Sequence, residues 1–228
     1  MYFISLGGWC IPHLAMKETK FQESPALPFD NLKCSFEGVI DCLQNDFKNF
    51  FPRIIKRDYR YPQYKFFYGK YVTFFHHDLL DSEVIESFNR RFKRINDTIN
   101  ENTCVFIRQI MTEDYMDEVK YYQDFENIIN SKYPNTKYII CYIISNQNNT
   151  GYYKNLSDKS FLFTMKGFGF NFIYDEYLII YNYIKNNDLF TNIPDPIDIE
   201  LNSITNALFY LENTNIPFVN YEDKFDDL

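Results

Sequence analysis

Residues 4–13, ISLGGWCIPH, run a short apolar segment into two glycines, a cysteine and a histidine. Gly7 and Gly8 permit a tight strand-to-helix turn, which would place Cys10 in the first turn of the helix. Unpaired amides and the helix dipole at such a position favour a thiolate and lower a thiol's pKa. That is a nucleophile's position. The blander alternative is a small residue packed under a turn, the commoner fate of a free cysteine. A second stretch, FFHHD at 74–78, supplies imidazoles and a carboxylate. On a strand His76 and His77 point to opposite faces, so one packs while the other can face a cleft. His77 is then the candidate base and Asp78 the carboxylate that orients it. His13, one helical turn after Cys10, is a rival base, though a solvated helix face explains it as well. A third set is cationic: Arg90, Arg91 and Arg94 on one helical run, and Arg108 at the end of VFIR. Arg90 and Arg94 share a helix face, which solvation alone would explain. Arg108 interrupts an apolar strand, so it needs a buried partner, and Asp30 of PFD is the candidate. Together these arginines would suit an anionic group on a substrate.

Elements that could position these residues alternate along the chain. YFISL at 2–6 is a short apolar strand, followed by helical patterning over 10–20 and again over 35–50. YVTFFHH at 71–77 is β-branched and aromatic, hence strand-like. The next run has Asp81 and Ser82 as caps, with Val84, Ile85, Phe88, Phe92 and Ile95 at helical spacing. TCVFIRQ at 103–109 and KYIICYIIS at 137–145 are buried-strand types, and the spacing between them predicts one long helix over 112–133 capped by Thr112. FLFTM at 161–165 reads as a strand, 174–187 as a helix and 199–213 as a last helix before an acidic end. Strand–helix alternation of this kind predicts parallel βαβ units. The expected fold is α/β: a three-layer, mostly parallel Rossmann-like sheet flanked by helices over residues 1–187, with 188–228 as a helical C-terminal extension packed on it. In such a sheet, ligands bind where strands end and helices begin.

Composition narrows the function classes. Apolar residues make up 46% of 228, with 24 Phe and 20 Tyr among them, which excludes general disorder. The abundance of Asn, Lys, Ile, Tyr and Phe resembles coding from an AT-rich genome, such as a large DNA virus or an AT-rich bacterium. A net charge of −8 argues against nucleic acid or an anionic membrane as partner. There is no run of about 18 apolar residues and no signal-peptide pattern, so a soluble chain in the cytoplasm (the host's, if viral) is expected. Five cysteines without CxxC spacing point neither to a disulfide framework nor to zinc. No Walker, GxGxxG, GxSxG or HExxH pattern appears, and neither metal nor cofactor is expected.

Taken in order, ISLGGWC, LPFDN, FFHHD, FNRRFKRI and CVFIRQ resemble a bacterial and viral family of unknown function, DUF1796, which is named for papain-like cysteine peptidases. Its pattern is an SLGxxC strand-turn, a PFDW segment, a strand ending in HD, a helix with paired arginines and an FVR or FIR strand. The resemblance covers residues 2–110 and continues loosely to about 185. It implies Cys10 as nucleophile, His77 as base, and Asp30 or Asp78 as orienting carboxylate. Asn31 stands where the family has an aromatic residue, and the chain from 186 onward lies outside the resemblance. A papain-like core would pair a cysteine-bearing helix with an antiparallel sheet, whereas the alternation here predicts parallel strands. The function expected is a cysteine-dependent hydrolase of acyl or amide bonds, peptidase-like or otherwise, with Gly7 and Gly8 in its substrate turn and a peptide, glycan or small molecule as substrate. The alternative is a protein that binds or transforms a phosphorylated or glycosylated small molecule through the arginines, without cysteine chemistry. An interaction protein using its aromatic surface is a third class.

Overall fold

The computed structural model describes residues 1–51, 55–56, 67–68, 71–74, 76–110, 112, 114–167, 173–187, 189–191, 195 and 220–221. In chain order they form β1 (Tyr2–Ser5), α1 (Ile11–Glu18), β2 (Lys33–Cys34), α2 (Phe36–Gln44), β3 (Ile55–Lys56), β4 (Phe67–Tyr68) and β5 (Val72–Phe74). Then come α3 (Ser82–Glu101), β6 (Cys104–Gln109), α4 (Met116–Val119), α5 (Tyr122–Lys132) and β7 (Tyr138–Ile144). The series closes with β8 (Gly151–Asn155), β9 (Ser160–Thr164), α6 (Ile173–Asn187) and β10 (Asn220–Tyr221).

Every residue of β6, β7 and β9 is buried, which is why these strands read as unbroken apolar runs. They form a five-stranded sheet in the order β1-β6-β7-β9-β8, parallel except where β8 runs antiparallel to β9. Alternation along each strand divides the core in two. Ile4, Phe106, Ile140, Tyr142 and Leu162 pack with α2, α3 and α5 on one face. Phe3, Val105, Ile107, Ile139, Cys141, Ile143 and Phe161 pack with α1 and α6 on the other. The sheet is therefore the middle layer of three, as its periodicity predicts, and it is not the antiparallel sheet of a papain-like core. The free edge of β1 is closed by a side chain: Gln22 accepts the Phe3 amide at 2.7 Å and donates to its carbonyl at 2.8 Å. A loose strand edge is thereby blunted.

Three local expectations change. Among the described residues of the run at 71–77, Val72–Phe74 is strand, and it pairs antiparallel with β2 and β4 in a separate three-stranded sheet. It is the middle strand of that small sheet, and the place beside β1 in the main sheet belongs to β6. The helix expected over 112–133 is two helices. The Tyr121 amide bonds the carbonyl three residues back, at Glu118, and ends the first of them. Strand β8 carries Gly151 and Lys154 on a sheet edge, and so has no apolar alternation to announce it. The cap expected at Asp81 forms, its carboxylate accepting the Glu83 amide at 2.9 Å. On α3, Phe88 and Phe92 then join Phe47, Phe50, Phe51 and Phe74 in one aromatic cluster, with Phe47 stacked on Phe92 at 4.4 Å. Much of the unusual phenylalanine content is thus core. The helix expected at 199–213 and the acidic end lie outside the described residues; β10 pairs antiparallel with β3. Among the described residues no helix is long and apolar enough to cross a membrane.

Candidate active site

Cys10 follows two glycines of positive φ, 68° at Gly7 and 89° at Gly8. A side chain at Gly7 is excluded twice over, since its Cβ would lie 2.6 Å from Cys34 Sγ. This turn delivers Cys10 as the N-cap of α1, with its own backbone already helical and its thiol making no capping bond. Cys10 is half-buried, whereas Cys34, Cys42, Cys104 and Cys141 are buried. It packs at the margin of the core between α1 and α6, near Tyr174 and Tyr177, whose phenols are raised first by burial and further by Cys10, with Glu18 also acting on Tyr174. Burial raises the Cys10 thiol above its ordinary pKa, with a backbone N–H pulling weakly the other way. This reverses the expected direction. Helix α1 has eight residues and Pro12 in its first turn, so it offers few amides to set against desolvation.

One turn along the same helix, His13 Nδ1 lies 3.1 Å from Asp30 Oδ2. A spacing of three places Cys10 and His13 on one face of α1. Asp30 is 1% exposed, and its Oδ2 also accepts the Leu27 amide at 2.7 Å. Burial lifts its carboxyl to about 7, against the pull of the Leu27 amide, Arg91 and Arg94. Burial, with the positive charges of Lys17 and Arg91, lowers His13 to about 4. Coupled groups this close titrate as a unit, which holds one proton across that interval. Above about 7 the carboxylate takes the Nδ1–H bond, and the opposite ring nitrogen is left as a free base.

The other imidazole is placed differently. His76 is exposed; His77 is half-buried, with its ring edge-on to Phe88 at 5.0 Å. Because β5 is Val72–Phe74 and lies in the smaller sheet, His77 follows that sheet and is not carried on a strand of the main parallel sheet. Burial, Arg91 and His76 lower His77 to about 4. Asp78 Oδ1 accepts the Leu80 amide at 3.2 Å, in the turn that leads into α3.

The arginines separate into four roles. Arg90 is exposed, 3.9 Å from Glu86, on a solvated helix face. Arg94 donates to the Ala26 carbonyl and so ties α3 to the segment carrying Asp30. Arg91 sits over the Phe88 ring at 4.6 Å. Arg108 is fully buried, and its partner is Glu118, not Asp30: Nε and Nη2 lie 2.8 and 2.7 Å from Glu118 Oε2. Its remaining bonds go to the Leu6 and Cys34 carbonyls at 3.0 and 2.8 Å and to the Cys34 sulfur at 3.5 Å, so it joins β6 to the end of β1 and to β2. Gly7 and Gly8 also turn inward, the Gly7 amide to Ser5 Oγ at 3.2 Å and the Gly8 amide to the Cys34 sulfur. The glycines shape the turn and leave no amide facing a substrate.

Among the described residues no three His, Cys, Asp or Glu side chains are grouped to hold a metal. Sequence reasoning missed Tyr177 and Glu118 altogether. A buried arginine demands a carboxylate, but TEDYMDEVK offers four and spacing does not choose among them.

No curated protein and no solved structure matches the chain. The family model described as "Putative papain-like cysteine peptidase (DUF1796)" matches residues 1–148, the span that carries Cys10, His13, Asp30, His77 and the arginines. With well over half of its length covered, the chain belongs to that family.

Proposed function

We propose that the protein is a cysteine-dependent hydrolase of acyl or amide bonds, with peptides as its substrate class. Cys10 is the nucleophile, His13 the base and Asp30 the carboxylate that orients it. The carboxyl group beside His13, one helical turn from the thiol, is the observation that carries this assignment. With Nδ1–H donated to Asp30, the other ring nitrogen of His13 is free to take the Cys10 proton as sulfur attacks the substrate carbonyl. The oxyanion forms at the N-terminus of α1, where the amides of Ile11 and His13 have no carbonyl one turn back. The carbon–nitrogen bond then breaks as His13 returns the proton to the leaving amine. Water, deprotonated by the same ring, cleaves the thioester and restores the thiol. Because the thiol starts protonated, the proton moves during attack and no ion pair waits beforehand.

Alkylation with iodoacetamide at pH 8, mapped by mass spectrometry, tests the assignment. Cys10 is expected to react first, and His13→Gln to slow it by about a hundred-fold, the usual worth of a positioned base. Labelling of Cys10 at the wild-type rate in His13→Gln, or a greater loss in His77→Gln, would remove His13 from the role.

A further inference from the structure

Arg91 is charged and partly buried, with Asp30 acting on it favourably and Arg90 and Arg94 against it. Its guanidinium and the His77 ring lie against the same Phe88 ring, at 4.6 and 5.0 Å. Arg91 Nη1 and His77 Nε2 are both buried without a hydrogen-bond partner, and so is Asp30 Oδ1. Six buried side-chain polar atoms lack a partner among the described residues, and three of them stand here. Buried polar atoms are nearly always paired, so their concentration marks a place for ligand atoms. The local charge is positive. Glu86 lies with Arg90 at the surface, Arg94 is engaged with Ala26, and Asp30 already receives Leu27 and His13. Above about 7 Asp30 ionises and acts on Arg91, but its Oδ2 is committed to Leu27 and His13, so Arg91 Nη1 keeps an unpaired N–H for a ligand. The location is tied to the thiol: Arg91 acts electrostatically on His13 and Asp30, and α3 is fastened to the Ala26–Asp30 segment by Arg94.

We propose that Arg91 and His77 form a subsite for an anionic oxygen group, carboxylate or phosphate, carried by the substrate beside its scissile bond. Arg91 supplies the charge and an N–H bond, and His77 a neutral donor in the tautomer with its proton on Nε2. The subsite deepens the hydrolase assignment, on which its position relative to the scissile bond rests.

The test compares an anionic and a neutral reagent at one thiol. Iodoacetate should enter the subsite and iodoacetamide should not profit from it. The ratio of their rates at Cys10 is expected to exceed that of a free thiol by about ten-fold, to fall to the free-thiol value in Arg91→Met, and to stay in Arg90→Met. Arg91→Lys, which keeps the charge should Arg91→Met fail to fold, is expected to retain part of the preference. Inorganic phosphate and acetate are added separately as protectants; the one that slows iodoacetate labelling at lower concentration identifies the anion preferred. An equal ratio in wild type and Arg91→Met, or protection by neither anion, overturns the subsite. If Cys10 resists both reagents, the hydrolase assignment fails separately. Calorimetric titration with phosphate and with acetate then decides the subsite, supporting it if the heat disappears in Arg91→Met and overturning it otherwise.

Discussion

At the scale of single residues, the candidate site is set by desolvation more than by the helix dipole. The thiol is raised, both partly buried imidazoles are lowered to about 4, and the Asp30 carboxyl is raised to about 7. A neutral thiol beside a neutral imidazole needs base catalysis at each turnover. The rate of Cys10 alkylation should therefore climb with pH from neutrality to beyond the ordinary thiol value of 9.0, with one rise near 7 as Asp30 ionises and fixes the His13 tautomer. In Asp30→Asn the rise near 7 should disappear while the later one stays. A rate that levels off below pH 7 in the wild type would mean that a preformed thiolate exists after all. His13 was legible as a candidate, and its carboxylate was named within PFD; that the two meet was not legible, because residues 14 to 29 separate them.

At the scale of elements, the buried Arg108–Glu118 pair links β6 to α4 and, through two carbonyls, to the end of β1 and to β2. Buried pairs are costly to break from one side, because the remaining charge loses its partner without regaining water. Arg108→Met is expected to lower unfolding stability in urea by about 3–5 kcal/mol, and Arg108→Met with Glu118→Met to recover much of that loss. A double variant no more stable than the single would show that the hydrogen bonds to Leu6 and Cys34 dominate instead. The elements themselves were largely readable: buried runs became parallel strands, and Asp81 became a cap. What spacing left undecided was which sheet a strand joins. Three residues of β5 carry too little pairing information to exclude the main sheet, and that choice takes His77 off the main sheet.

For the whole molecule, the displaced imidazole makes folding pH-dependent. His77 titrates at about 4 when folded and near 6.5 when not, so between these values the unfolded chain binds the extra proton. Stability must then rise with pH across that window, by about 1.4 kcal/mol per pH unit for one proton. The His13–Asp30 unit nearly cancels, since it holds one proton there in the folded state and His13 holds one when unfolded. Thermal unfolding between pH 4.5 and 6.5 should show a midpoint rising by several degrees, and His77→Phe should flatten the profile. Parallel profiles would assign the dependence to other groups.

The amino-acid order by itself determined the layered parallel sheet and the perch of Cys10 after two glycines. Both are encoded within a few residues, by alternation of burial and by backbone freedom. Tertiary structure alone decided that His13 meets Asp30, that Arg108 meets Glu118, that Arg91 and His77 lie against one Phe88 ring, and that the thiol is raised and not lowered. Partner choice and desolvation depend on which surfaces the packed layers bring together, and no local spacing records them.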